Sequence, residues 1–97
     1  MVFNLHQVSG IGEWEEGVEK DLRVFRVPGG KVFLVVRKGT IEVRTDGELS
    51  ELLRSQYESV MESRYFGRGG IEIVLSGQLG DDEINDLVRL SYNLTVE

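Results

Sequence analysis

The chain has 97 residues, a net charge of −6, 40% hydrophobic and 29% charged residues, and no cysteine. Length and composition fit one soluble globular domain with one modest core, and the missing cysteine excludes disulfides, thiolate nucleophiles and cysteine-based zinc or iron–sulfur sites. No apolar run reaches the roughly 18 residues of a membrane span and the start lacks a secretory signal pattern, so a cytoplasmic protein without membrane partners is expected.

The N-terminal "MVFNLHQVSGIGEWEEGVEK" predicts one helical turn over Leu5 to Val8, which Gly10, Gly12 and Gly17 keep from extending. Trp14 is expected to fold its ring onto the edge of the core. Glu13, Glu15, Glu16, Glu19 and Asp21 offer carboxylate oxygens to a hard cation. They lack EF-hand spacing and read as a solvated charge run. "DLRVFRV", "KVFLVVR" and "TIEVR" follow, rich in β-branched and aromatic residues. The "PGG" at 28–30 and "KG" at 38–39 between them are turn signals. Together they predict a three-stranded antiparallel meander.

"TDGELSELLRSQY" predicts a helix with Leu49, Leu52, Leu53 and Tyr57 on one stripe. Thr45 or Asp46 is the cap, and Thr45 with Glu48 has capping-box spacing. "SRYFGRGG", residues 63–70, reads as a glycine-rich turn, and "IEIVL" at 71–75 as a fourth strand. After the turn "SGQLG", "DDEINDLVRLSY" predicts a second helix with an acidic first turn, as the helix dipole favours. "NLTVE" reads as a short terminal strand. The expected fold class is α+β: a two-layer sandwich of a mainly antiparallel sheet with two helices packed on one face.

Period-two alternation assigns the sheet faces. Leu22, Val24, Val32, Leu34, Val36, Ile41 and Val43 are expected to meet the helices. Arg23, Phe25, Lys31, Phe33, Arg37 and Arg44 are expected on the opposite side, with Val35 and Glu42. The charge follows these elements: residues 22–45 carry +5, whereas residues 1–21, 46–62 and 78–97 carry −4 each.

The catalytic inventory is thin. His6 is the single histidine, so the common nucleophile–base pairings lack partners. "GIGEWEEG" at 10–17 misses the dinucleotide fingerprint. No enzyme and no cofactor are expected. The basic, aromatic sheet face points instead to binding. Rings stack bases and arginines hold phosphates, as on sheet platforms for single strands. Arg64 and Arg68 would extend that surface, with Tyr65 or Phe66 able to stack. The other reading has Phe25 and Phe33 covered by the N-terminal segment or by a second subunit, since exposed Phe commonly marks an interface.

"DGELSELLRSQYESV" and "GGIEIVLSGQLGDDEINDLVRLSYNL" together resemble the MmcQ/YjbR family. The shared features are Leu53, Arg54 and Tyr57, the acidic start Asp81-Asp82-Glu83, and the closing Ser91-Tyr92. Upstream, Gly30, Lys31 and Phe33 resemble the family's Gly-Lys-hydrophobic-Phe strand. The resemblance covers roughly residues 22–95 and implies one domain over 1–97, with a shortened, divergent segment at 1–21. It implies a frataxin-like (CyaY-like) α+β fold and DNA binding as the function. The chain departs from the family pattern at both ends of the meander. "QVSGIGEW" stands where relatives carry a full helix and Leu-Pro-Gly, and "SRYFGRGG" where they carry a His-Met-Asn-Lys-like segment and a Trp. The shortened start leaves core surface for a homodimer contact.

Overall fold

The meander forms the middle of a larger sheet. A computed structural model describes residues 3–97; Met1 and Val2 of the N-terminal segment lie outside the described residues. In chain order there is a 3-10 turn at Leu5–Gln7, then β1 Glu15–Glu19, β2 Leu22–Arg26, β3 Val32–Val36 and β4 Thr40–Arg44. The second half holds α1 Gly47–Gln56, β5 Val60–Ser63, β6 Gly67–Val74 and α2 Asp81–Val96. The strands make one six-stranded sheet in the order β1-β2-β3-β4-β6-β5, with every neighbouring pair antiparallel. α2 packs on β3 and β4, and α1 on β5 and β6. This is the expected α+β fold with its helices on one face.

Both edge strands escaped the sequence reading. β1 runs through the acidic segment and returns into β2 by a two-residue turn, Lys20-Asp21, with φ of 50° and 68°. Such hairpin turns normally carry Asn-Gly or similar residues, so Lys-Asp gives no turn signal. β5 and β6 pair across the stretch read as a helix-to-strand turn. Ser63 ends β5, Gly67 opens β6, and Arg64-Tyr65-Phe66 form the hairpin tip.

Of the two cap candidates, Asp46 is the one that caps α1, accepting the Leu49 N–H at 2.8 Å. Two local expectations are corrected. "NLTVE" continues α2 to Val96 rather than forming a strand, with Thr95 buried and its hydroxyl donating to the Ser91 carbonyl at 2.7 Å. The second correction concerns the faces of β2 and β3. Phe25 pairs with Leu34, but Arg26 pairs with Val32, so Phe33 is an extra residue on β3. This β-bulge turns Phe33 and Leu34 to the same side. Phe33 packs edge-on against Tyr92 of α2, ring centres 5.0 Å apart. Phe25 meets Trp14 edge-on at 5.4 Å. Both phenylalanines are therefore core, beside Leu34, Val36, Ile41, Val43, Ile71 and Ile73. Val24, Val32 and Val35 form a separate small cluster on the face away from the helices.

The bulge has a dedicated support. The β3–β4 pairing stops at Leu34 and Val43, beside the bulge, and the buried backbone groups next to it need partners. The buried Ser91 hydroxyl supplies them, donating to the Phe33 carbonyl at 2.6 Å and accepting the Arg44 N–H at 2.8 Å. Its neighbour Tyr92 donates to the Glu13 carbonyl at 2.7 Å, which ties the N-terminal segment to α2.

Candidate ligand-binding face of the sheet

The face away from the helices is built on one row of residues crossing the strands. Direct pairing runs from Gly17 through Val24, Val35, Glu42 and Glu72 to Met61. Glu42 and Glu72 thus stand opposite each other on the neighbouring strands β4 and β6, both buried at 0% and 4% exposure. Like charges directly opposite are destabilising, and a buried carboxylate must be paired and hydrogen-bonded. Each therefore has its own set of donors.

Glu42 is paired with Arg37. Its Oε1 also accepts from the Ser63 hydroxyl at 2.7 Å and the Tyr65 N–H at 2.8 Å. Glu72 receives the Arg64 guanidinium through two bonds, Nε to Oε1 at 2.9 Å and Nη2 to Oε2 at 2.7 Å. The Thr40 hydroxyl adds a third at 2.8 Å. Burial pushes the Glu72 carboxyl up, but the bonds from Arg64 and Thr40 and the charges of Arg64 and Arg37 outweigh it. Its pKa is lowered overall, and the same contact raises that of Arg64.

The hairpin tip lies over this face. Tyr65 and Phe66 pack on the Val24–Val32–Val35 cluster, their rings 4.9 Å apart and edge-on. The Tyr65 hydroxyl donates to Glu19 at 3.0 Å, and Glu19 also holds Arg26 at 3.1 Å. Burial, then the bond and charge of Glu19, push the Tyr65 phenol up. Arg44 lies 4.7 Å from the centre of the Phe66 ring and donates from Nε to the Val32 carbonyl at 2.8 Å. Among the described residues Arg44 makes no ion pair. Two glycines make room for this layer. A Cβ on Gly17 would come within 2.5 Å of Arg26 Nη1, and one on Gly70 within 2.7 Å of Phe66 Cβ.

The expected site residues divide accordingly. Arg37, Arg44 and Arg64 gather on this face. Phe25 and Phe33 do not: the bulge turns Phe33 under the helices, and β2 runs in the opposite phase to that expected, so Phe25 is core while Leu22 and Val24 lie on the open face. Arg23 shares their side, pairs with Glu16 at 2.9 Å and lies beside the Phe25 ring. Lys31 is exposed in the β2–β3 turn. Arg68 lines a cleft with Glu48, Glu51 and Arg54 of α1 and with Glu62, apart from the tip arginine. Sequence reasoning missed Arg26, Glu19 and Glu72. The available signal was a glutamate centred in each of the apolar runs "TIEVR" and "IEIVL". A carboxylate there requires a cation folded onto it.

The acidic N-terminal cluster is dispersed by β1. Glu16 and Glu19 bind Arg23 and Arg26 on opposite faces. No group of three or more metal-ligating side chains converges among the described residues. None of the described helices is long and apolar enough to cross a membrane.

Comparison with known proteins agrees with this fold. The sequence model of a family described as YjbR matches residues 7–94. A crystal structure of a structural-genomics target protein from Pseudomonas syringae is similar, with a TM-score of 0.73 at 22% identity. The alignment covers 84% of this chain and 86% of that one. Among curated proteins none matches.

Proposed function

The chain belongs to the YjbR family, and on that premise we propose a non-catalytic, cytoplasmic domain that binds a nucleic-acid strand, without a cofactor, on the open face of its sheet. The observation that carries this reading is Arg44 stacked on Phe66, an unpaired guanidinium beside two adjoining, half-buried rings. A phosphate takes the free N–H groups of Arg44, and a neighbouring base stacks on Tyr65 or Phe66. Arg26, Arg37 and Arg64 lie on the same face, each already held by a carboxylate. The chain's charge of −6 opposes general attraction to polyanions, so binding is local and of modest strength.

The test is a fluorescence-anisotropy titration with labelled oligodeoxythymidylate at low salt. A dissociation constant tighter than the roughly 10⁻⁴ to 10⁻⁶ M typical of non-specific binding at physiological salt is expected. Its logarithm should change by about 0.7 per phosphate contact for each decade of salt. Arg44→Glu is expected to weaken binding at least about tenfold, a loss of about 1.4 kcal/mol. Equal binding by Arg44→Glu and the parent protein refutes the reading. A second reading places a protein partner or another copy of the chain on the same face. It is favoured by Met61, which stands in the Glu72 row and is 42% exposed. Sedimentation at micromolar concentration separates the two, with a dimer that Met61→Asp disrupts supporting the second.

A further inference from the structure

The arginine–aromatic face is occupied by its own chain. The tip of the β5–β6 hairpin lies on it, and the contacts that keep it there are specific. Arg64 forks onto Glu72, the Tyr65 N–H reaches Glu42, and the Tyr65 hydroxyl reaches Glu19. Three carboxylates from β1, β4 and β6 thus hold the tip, while three glycines at 67, 69 and 70 follow it. Gly67 has a φ of +64°, a conformation that side chains rarely adopt. Under the tip lie Val24, Val32 and Val35.

From this we infer that Glu72 is an internal competitor for the nucleic-acid strand, and that the strand engages the face fully by taking Arg64 from Glu72 and loosening the tip, whose rings stay beside Arg44 to stack the bases. The inference rests on the nucleic-acid reading above and names how that site is regulated. The Arg64–Glu72 fork has the two-bond geometry that a guanidinium also offers a phosphate. Arg64 is 63% exposed on its side chain, so a phosphate reaches it without prior opening, whereas Glu72 is 5% exposed. After the exchange Glu72 keeps the Thr40 hydroxyl and the nearby charge of Arg37. It still faces Glu42 across the strands with its closest cation gone. Taking the cation from a buried carboxylate is unfavourable even though Arg64 itself is exposed, so one phosphate does not suffice. A ligand must bring several phosphates at once, to Arg44, Arg26 and Arg64, to loosen the tip. The self-contact sets a threshold on ligand charge and excludes small monovalent anions.

The experiment compares Glu72→Gln with Glu48→Gln, an equal change of net charge on exposed α1, using labelled oligodeoxythymidylate and inorganic phosphate as probes. Glu72→Gln is expected to bind the oligonucleotide about tenfold or more tighter than the parent, equivalent to about 1.4 kcal/mol. Glu48→Gln should change it by less than about twofold, as an exposed charge does. Adding Arg64→Ala to Glu72→Gln should remove the gain. Inorganic phosphate at concentrations matching the oligonucleotide's phosphates should not displace the tip of the parent protein. Equal gains in Glu72→Gln and Glu48→Gln overturn the inference, because the gain is then net charge alone. Binding by the parent that Glu72→Gln leaves unchanged also overturns it and leaves the nucleic-acid reading standing. A ligand-free readout stands apart from that reading: amide exchange at Tyr65. It should rise about tenfold or more in Glu72→Gln, measured beside core amides that report intact folding. Unchanged Tyr65 exchange overturns tip loosening itself. Raised exchange without oligonucleotide binding in any variant overturns the nucleic-acid reading, and with it the role of Glu72 as competitor.

Discussion

Glu42 and Glu72 show how single residues organise the open face. Their positions follow from register alone, because period-two alternation turns both away from the helices and the β4–β6 ladder makes them opposite. Two buried carboxylates in that relation are tolerable only with a cation on each, and Arg37 and Arg64 supply them. The pKa of Glu72 in the fold lies below its ordinary value. A lowered folded value means that the stabilisation is present above the unfolded carboxyl range, near 4.3. It is lost as pH falls through the folded value. Thermal unfolding should therefore show a loss of stability below about pH 4.5, and Glu72→Gln should flatten that acid limb, lowering stability most at neutral pH and least in acid. An identical acid limb in the variant would remove the ion pair from the account. At this scale the sequence was half legible. It told that Glu42 and Arg44 face away from the helices. It did not tell that Arg64 would fold back, since a hairpin tip's direction is set by tertiary contacts.

At the scale of elements, the β3 bulge decides which side chains the face contains. Strict alternation along "KVFLVVR" puts Phe33 outward, and one extra residue reverses it. The signal was hidden because every residue of β3 is buried, so both faces of the strand are apolar and neither phase stands out. The bulge depends on the Ser91 hydroxyl, which serves the Phe33 carbonyl and the Arg44 N–H together. Ser91→Ala leaves two buried backbone groups unsatisfied and should cost about 1–3 kcal/mol. Urea unfolding is the measurement, with a lower midpoint at unchanged slope; a loss below about 0.5 kcal/mol, the level of surface substitutions, would contradict the bridging role. The meander and both helix starts were readable because Pro, Gly and acidic first turns punctuate them. β1 and β5 were not. β1 carries an internal glycine and a Lys-Asp turn, and β5 is four residues long.

For the molecule as a whole, charge and layering fall into register. The acidic blocks fall in the helices, the first strand and their flanks, while the +5 segment forms the middle of the sheet. The block pattern was legible before the fold, but its meaning was not, because carboxylates from β1 and β4 fold against Arg26 and Arg37 of that segment. The face that results is close to neutral, with Arg44 as its unpaired cation among the described residues. In the proposed reading this layering directs a polyanionic strand to one side of the sheet and holds it off the acidic helix layer. The most direct measurement is backbone and arginine side-chain NMR of the labelled protein, titrated with oligodeoxythymidylate at low salt. The expected result is a set of shifts confined to Arg26, Arg44, Tyr65 and Phe66, with the Arg64 Nε–H moving as Glu72 is released. Shifts centred on α1 or α2, or no shifts at millimolar oligonucleotide, would contradict it.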